Sequence, residues 1–139
     1  MTITTHSAAE TEAFAAQLAA QLKPGTVVAF FGGLGRGKTA FVRGLAATLC
    51  PEAQVSSPTF SLVNVYGGDP PLVHFDMYRV SGWDDLYTTG FFEYQEQGCI
   101  LAVEWSENIE GALPPDAVRI TIDRVDETTR RITVEESMA

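Results

Sequence analysis

Residues 32–39 of this chain have the sequence Gly32-Gly33-Leu34-Gly35-Arg36-Gly37-Lys38-Thr39, which fits the pattern G-x-x-x-x-G-K-[ST] without a mismatch. The glycines allow consecutive backbone N–H groups to turn inward around an anion, which side chains at those positions would hinder. Lys38 adds a mobile cation for the β- and γ-phosphates of a nucleotide, and the Thr39 hydroxyl can ligate Mg²⁺. The stretch therefore predicts a P-loop that binds ATP and Mg²⁺.

The segments on both sides of the stretch have the character that a P-loop requires. Thr26 to Phe31 is a short β-branched and aromatic run, which predicts a buried strand, and a helix is expected from about Lys38 to Leu49. That helix would direct the positive end of its dipole towards the phosphates. We predict nucleotide contacts at Gly33, Leu34, Gly35, Arg36, Gly37, Lys38, Thr39 and Ala40.

The remainder of the chain predicts an α/β fold around this loop. A capping-box spacing at 7–10 begins a helix that is expected to reach Leu22, and the apolar run at 100–103 is typical of a central parallel strand. Further strands are expected at 60–66 and 72–76, and alternating apolar residues around the turn at 126–129 indicate a hairpin. We predict that residues 1–139 form a single three-layer P-loop NTPase-like domain with a mixed, mainly parallel sheet and an antiparallel edge hairpin.

Two apolar runs end in a carboxylate, at Asp76 and at Glu104. Acids at the carboxyl ends of parallel strands face the crevice in which a P-loop lies, and a P-loop site needs such an acid for its magnesium shell. Either acid alone could be an ordinary solvent-exposed strand end. Because there are two beside a P-loop, a functional role is favoured for at least one.

Other polar and aromatic residues support weaker expectations. The segment Ser56-Ser57-Pro58-Thr59 lies where nucleotide switches often sense the γ-phosphate, although Ser-Pro usually forms a turn. His6 and His74 lack a Cys or His companion at metal-ligand spacing, so packing is expected for both. The aromatic group at 83–94 is expected mostly in the core, with a part that could form a partner surface.

Composition and charge limit the partners. Nine basic against eighteen acidic residues give a net charge of −9, whereas nucleic-acid affinity depends mainly on Lys and Arg contacts to phosphates. We therefore expect the chain to bind tRNA or DNA poorly by itself. The sequence has no apolar stretch long enough to span a bilayer and no secretory signal at 1–7, so we expect a cytoplasmic protein that does not enter a membrane. The two cysteines, Cys50 and Cys99, are therefore expected to be free thiols.

Two other classes of P-loop protein also remain open. A small-molecule kinase passes the γ-phosphate to an acceptor and usually has an arginine-rich lid, but the seven arginines here are scattered apart from Arg130 and Arg131. A non-catalytic switch module would bind nucleotide with incidental turnover. Phosphate release without an acceptor distinguishes an ATPase from the kinase, and stimulation by a partner distinguishes it from the passive switch.

Four segments together resemble the bacterial TsaE family, formerly called YjeE: GGLGRGKT at 32–39, SPTFSLVNVY at 57–66, HFDMYR at 74–79 and AVEW at 102–105. Their order and spacing match over nearly the whole chain, and together they are far more specific than a P-loop alone. The resemblance implies a small ATPase that serves tRNA threonylcarbamoyl-adenosine synthesis by acting on a complex of TsaD with TsaB. It also implies that tRNA is reached only through that complex.

The resemblance further implies roles for individual residues. Lys38 and Thr39 would keep their P-loop roles, with Lys38 counted among the catalytic residues. Glu104 would be the acidic group of the magnesium site, and Asp76 would position or deprotonate the attacking water. Four further residues would lie beside the nucleotide: Thr59 in a switch-like loop, Trp105, and, on the base or sugar side, Thr11 and Arg130.

The sequence departs from the family pattern at three positions. Gly33 replaces a residue that is usually acidic, Arg36 replaces Ala, and Ser106 stands where Pro is common. Gly33 removes a carboxylate close to the phosphates, so the hydrolysis rate of relatives does not transfer to this chain. Arg36 adds a cation at the rim of the loop, where it could hold nucleotide, touch a partner or remain solvated.

Overall fold

The computed structural model describes residues 1–31, 37–52, 55 and 63–136. Within these ranges the chain forms seven strands, four α-helices and one 3₁₀ helix. The strands are β1 (Thr2–Thr5), β2 (Val27–Phe31), β3 (Val63–Tyr66), β4 (Leu72–Asp76), β5 (Ile100–Glu104), β6 (Val118–Arg124) and β7 (Arg130–Glu136). The helices are α1 (Ala8–Ala19), α2 (Lys38–Leu49), α3 (Trp83–Thr88), α4 (Phe91–Glu96) and the 3₁₀ helix η1 (Ser106–Ala112).

All seven strands form one mixed sheet in the order β1-β7-β6-β2-β5-β4-β3. Its centre is parallel, because β2 pairs in parallel with both β5 and β6, and β4 pairs in parallel with β5. The two edges are antiparallel, through β3 against β4 on one side and β6, β7 and β1 on the other. The predicted fold class is therefore confirmed, including the hairpin β6–β7.

Apolar side chains pack on both faces of this sheet. On one face Val28 and Phe30 of β2 pack with Phe41 and Leu45 of α2 and with residues of α1. On the other face Val27, Ala29 and the alternate residues of β4 and β5 pack with Leu86 of α3 and Phe91 of α4. Each large apolar side chain that is fully buried stabilises the fold by roughly 1.5–3 kcal/mol. The central strands are consequently the rigid frame of the molecule.

Helices α1 and α2 pack closely side by side, and a glycine makes this possible. A Cβ atom added at Gly44 of α2 would lie 2.3 Å from the carbonyl oxygen of Glu12 in α1. The α1 helix begins as predicted, because the Ser7 hydroxyl accepts a hydrogen bond from the backbone N–H of Glu10. It ends at Ala19, which is earlier than the expected Leu22.

The first strand, β1, is a feature that the sequence analysis missed. No element was predicted for residues 1–7, yet Thr2–Thr5 pairs with Arg130–Thr133 of β7. Most of β1 is exposed, so the strand is held by backbone hydrogen bonds to the edge of the sheet. Its sequence therefore has no apolar pattern from which a strand could be predicted.

Several smaller expectations have clear outcomes. Cys50 and Cys99 are free thiols, and both are buried. Val63–Tyr66 is the described part of the strand expected at 60–66. The aromatic group at 83–94 divides, since Phe91 is buried while Trp83 and Tyr87 are exposed. Among the described residues, every helix is too short or too polar to cross a membrane.

Candidate active site

Asp76 and Glu104 lie side by side at the carboxyl ends of β4 and β5. The two residues are register partners in adjacent parallel strands, so their side chains point to the same face of the sheet. That face is the one covered by α1 and α2, because Ile100 and Ala102, which lie on the same face of β5 as Glu104, pack in the same apolar cluster as residues of those helices. We call Asp76, Glu104 and the adjoining Lys38 the carboxylate edge.

Lys38 is the first residue of α2 and is only 2% exposed. Burial lowers the pKa of its ammonium group below the ordinary value of 10.5, while the nearby carboxylates of Glu104, Glu107 and Asp76 act in the opposite direction. The Lys38 Nζ atom also lies 5.5 Å from the centre of the Trp105 ring, within the range of a cation–π interaction. The structure thus brings together Lys38, Asp76, Glu104 and Trp105, which are far apart in sequence.

Asp76 is held in a defined orientation by the chain that follows it. Its Oδ1 atom accepts a hydrogen bond of 3.0 Å from the backbone N–H of Tyr78. The other carboxylate oxygen has no hydrogen-bond partner within the described part of the chain, and the side chain is partly exposed. An oriented carboxylate with one available oxygen can accept a proton from water or align a water molecule.

His74 is a residue of this site that the sequence analysis assigned to packing alone. Its side chain is completely buried, and Nε2 lies 2.7 Å from the Oε2 atom of Glu104. Nδ1 has no hydrogen-bond partner among the described residues. In the tautomer that carries its proton on Nε2, the His74 ring donates a hydrogen bond to the Glu104 carboxylate. A signal existed in the sequence, since His74 stands two residues before Asp76 and therefore on the same face of β4.

The turn after β5 is braced against the turn after β4. Trp105 has a left-handed backbone conformation with φ of 60°, which is uncommon for a residue other than glycine. The Glu104 carbonyl accepts a hydrogen bond from the Met77 N–H at 3.0 Å, and the Trp105 and Tyr78 rings lie 4.9 Å apart. Ser106, at the position where the family pattern has Pro, donates its buried hydroxyl to the Val103 carbonyl. These contacts fix the backbone on both sides of the two carboxylates.

A cavity of about 330 Å³ opens beside the start of α2, between the start of α1 and the β6–β7 turn. Small-molecule sites in proteins occupy roughly 300–1,000 Å³, so this cavity has the size of a nucleoside site. We call it the side cavity. It is lined by Ser7, Thr11, Gly37, Ala40, Thr128 and Arg130, among others.

The side cavity brings Thr11 and Arg130 together, as a shared role near the nucleotide requires. Arg130 Nη1 donates to the backbone carbonyls of Asp126 at 2.8 Å and Thr129 at 3.1 Å, which holds the side chain against the turn. Thr11 is buried, and its hydroxyl is 2.7 Å from that of Thr5. Contact of either residue with a nucleotide stays a prediction.

The remaining predicted positions divide between the described and the undescribed parts of the chain. Gly37 caps the start of α2, where a Cβ would lie 3.0 Å from Cγ2 of Ile122, and Thr39 and Ala40 follow in the first turn of the helix. Five predicted nucleotide contacts lie outside the described residues: Gly33, Leu34, Gly35, Arg36 and Thr59.

The donors at the carboxylate edge suit Mg²⁺ better than a transition metal. No group of three or more His, Cys, Asp and Glu side chains that could hold a metal ion occurs in the ranges that the structure describes. Magnesium does not require such a group, because it keeps several waters and is usually bound by one or two carboxylates together with substrate phosphates. The pair of carboxylates and the Thr39 hydroxyl therefore fit the predicted ion.

Comparisons with known proteins agree on one family. A family model described as "Threonylcarbamoyl adenosine biosynthesis protein TsaE" matches residues 5–132. Two curated proteins named "tRNA threonylcarbamoyladenosine biosynthesis protein TsaE" are similar to this chain. The one from Treponema pallidum is 34% identical over 96% of this chain and 99% of its own length. The one from Bacillus subtilis is 40% identical over 89% of this chain and 78% of its own length. The crystal structure of Bacillus subtilis YdiB superposes with a TM-score of 0.77 at 34% identity, covering 99% of this chain and 85% of that one.

Proposed function

Because this chain belongs to the TsaE family of threonylcarbamoyl adenosine biosynthesis proteins, we propose that it binds and hydrolyses ATP as an accessory protein of tRNA threonylcarbamoyl-adenosine modification. We further propose that it acts on a complex of TsaD with TsaB. The observation that carries the ATPase part is the buried Lys38 ammonium beside the two carboxylates of β4 and β5.

In this proposal Lys38 binds the β- and γ-phosphates. Its burial weakens the charged form in the ligand-free protein, and an incoming phosphate anion restores that form by direct attraction. The α2 helix contributes the backbone N–H groups and the dipole of its first turn at the same point. Binding energy is therefore concentrated on the phosphates.

The two carboxylates have different tasks. Glu104, held by His74, would hold Mg²⁺ together with the Thr39 hydroxyl, and Asp76 would orient the attacking water with the oxygen that the Tyr78 amide leaves available. Mg²⁺, when bound, neutralises charge on the phosphate oxygens. An oriented general base typically accelerates such a reaction by about 10²–10⁴-fold.

The base and ribose side of the nucleotide is assigned to the side cavity. Its volume of about 330 Å³ suits a nucleoside, and it adjoins Gly37 and Ala40 at the start of α2. Thr11 and Arg130 would then contact the sugar or base, while the Trp105 ring lies beside Lys38, at the carboxylate edge.

The charge of the chain supports an indirect route to tRNA. A net charge of −9 repels a polyanion over about a Debye length of 8 Å at physiological salt. The partner complex would have to supply the contacts to tRNA, and this accessory protein would supply ATP turnover.

The experiment is a phosphate-release assay of the purified chain alone, then with TsaD and TsaB, then with tRNA added. We expect slow release alone and faster release with the TsaD–TsaB complex, with no acceptor molecule required. Release that depends on a small-molecule acceptor would identify a kinase instead. Nucleotide binding without release under any of the three conditions would identify a passive switch.

A further inference from the structure

We infer that the exposed face of α3 and α4 is a docking surface for a basic protein partner. Three aromatic side chains form this aromatic face: Trp83, Tyr87 and Phe92. Trp83 is 55% and Tyr87 is 57% exposed. The rings contact one another, with centres 5.3 Å apart for Tyr87 and Phe92 and 6.5 Å apart for the stacked Trp83 and Phe92. Clustered exposed aromatics are uncommon on a protein without partners, and Trp and Tyr are the residues that most often dominate binding energy.

A small cavity of about 170 Å³ adjoins the aromatic face. It lies between the start of α3 and η1, and it is lined by Gly82, Trp83, Leu86, Asn108, Ile109 and Ala112. Small-molecule sites generally begin near roughly 300 Å³, so this cavity is suited to a single side chain of a partner. An exposed aromatic group beside a one-residue pocket has the form of an interface centre.

The segment of the chain that carries the aromatic face is acidic. Residues 80–118 contain no Lys or Arg, although they contain eight acids: Asp84, Asp85, Glu93, Glu96, Glu104, Glu107, Glu110 and Asp116. All of these except Glu104 are exposed. Within the described part of the chain, Glu110 is paired with Arg119, whereas Asp84 and Glu93 have no ion pair.

This charge distribution selects the class of partner. An acidic surface repels RNA, anionic lipid and a second copy of this chain, whose net charge is −9. Lys and Arg side chains of a protein partner would be attracted both by the carboxylates and by the faces of the aromatic rings. The occupant is therefore a protein surface that presents basic residues around one side chain able to enter the small cavity.

The aromatic face is connected to the carboxylate edge. The η1 helix begins directly after Trp105, and Asn108 within it donates to the carbonyls of Met77 at 2.9 Å and Tyr78 at 3.3 Å, which follow Asp76. A protein bound at this face would contact the segment that carries the two turns of the site. This docking surface thus has a physical link to the site proposed for ATP turnover. The inference rests on the proposed function, because it takes the TsaD–TsaB complex as the partner.

The test measures the affinity of the full chain for the purified TsaD–TsaB complex by biolayer interferometry at several salt concentrations. We expect Trp83→Ala and Tyr87→Ala each to weaken binding by about thirtyfold, as for interface hot spots of about 2 kcal/mol. Asp84→Lys should weaken binding and reduce its salt dependence. Val125→Ala removes a similarly exposed apolar side chain elsewhere, and Glu135→Lys makes the same charge change on β7. Both controls should bind within twofold of the unmodified chain.

The possible outcomes separate this inference from the proposed function. If the unmodified chain binds TsaD–TsaB and the three variants bind equally well, the docking surface is wrong while the proposed function stands. If the unmodified chain does not bind the complex, the proposed partner is wrong and this inference fails with it. Binding of tRNA by the chain alone that Trp83→Ala abolishes would overturn the assignment to a protein partner. Circular dichroism and the thermal midpoint confirm that each variant is folded.

Discussion

The carboxylate edge and the side cavity are built in different ways, and their strands lie on opposite sides of β2, since β5 and β4 follow it on one side of the sheet and β6, β7 and β1 on the other. The carboxylate edge rests on parallel strands whose side chains are buried, and register pairing sets the positions of His74, Asp76 and Glu104. The side cavity is assembled from the start of α1, the start of α2 and an exposed turn at 126–129. It depends on β1, an edge strand held mainly by its backbone pairing with β7.

Under the proposed function, this difference separates the residues of the reaction from those that recognise the base and sugar. Groups that must be positioned accurately are held by a rigid core, in which Lys38 is 2% exposed and His74 is fully buried. The groups expected to recognise the base and sugar lie on a more exposed rim. At such positions a single contact usually contributes less binding free energy, and the residues vary more between related proteins. Substitutions at the carboxylate edge should therefore change turnover or metal dependence strongly, whereas substitutions in the side cavity should change affinity modestly.

The largest effect is expected at Asp76. Asp76→Asn keeps the acceptor for the Tyr78 amide but removes the basic oxygen, so ATP turnover should fall by about 10²–10⁴-fold. ATP affinity, measured by calorimetry, should remain unchanged. If the variant instead binds ATP more weakly but has normal turnover at saturating ATP, Asp76 binds nucleotide or metal and does not position the water.

The next effect is expected at Lys38. Lys38→Ala removes a charge-assisted contact to phosphate that is typically worth about 1.5–3 kcal/mol, which corresponds to roughly twelve- to 150-fold weaker ATP binding. Titration calorimetry with ATP measures the change, and Lys23→Ala, an exposed lysine outside this site, is the matched control. Equal ATP affinity of the two variants would remove Lys38 from the phosphate site.

A third effect concerns the hydrogen bond between His74 and Glu104. His74→Phe keeps a buried ring but leaves Glu104 without its 2.7 Å donor, so the Mg²⁺ concentration needed for half-maximal activity should rise by about 10–100-fold. Calorimetry of ADP binding with and without Mg²⁺ provides a readout that does not depend on turnover. His74→Gln retains a donor and should lie closer to the unmodified chain. A lower thermal midpoint with unchanged magnesium dependence would mean that His74 only fills space.

A smaller effect concerns stability and pH. Since burial lowers the pKa of Lys38 below 10.5 in the folded state, the unfolded chain holds an extra proton between that lowered value and 10.5. The free energy of unfolding of the ligand-free protein should therefore rise with pH across this interval, relative to Lys38→Met. Urea unfolding of both proteins at several pH values measures the difference. A difference that stays constant with pH would mean that Lys38 is fully charged in the ligand-free fold.

The carboxylate edge could be predicted from the sequence, whereas the residues that support it could not. Parallel central strands bury both faces, so they appear in the sequence as continuous apolar runs. Asp76 and Glu104 each end such a run and therefore mark the carboxyl ends of two strands. His74 was not assigned to the site, since a single histidine in an apolar run looks like packing until the register shows Glu104 beside it. Strand β1 was missed for another reason: Thr2–Thr5 has no apolar pattern and forms by pairing with a distant edge. Without β1, no local pattern could show that residues 6–11 and 127–130 share a cavity.

The smallest effect is expected at Arg130, and it is the one that distinguishes the two regions most directly. If the side cavity binds the base and sugar, Arg130→Ala should weaken ATP binding by about 0.5–1.5 kcal/mol, roughly two- to twelvefold, because a single side-chain hydrogen bond is at stake. Inorganic tripolyphosphate has the phosphates but no nucleoside, so its affinity should not change in this variant, whereas Lys38→Ala should weaken both ligands. Arg131→Ala is the matched control, because successive residues of β7 point to opposite faces and Arg131 is exposed. Equal losses for ATP and tripolyphosphate would mean that Arg130 acts on the phosphates, and the separation between a phosphate-binding edge and a nucleoside-binding cavity would then be wrong.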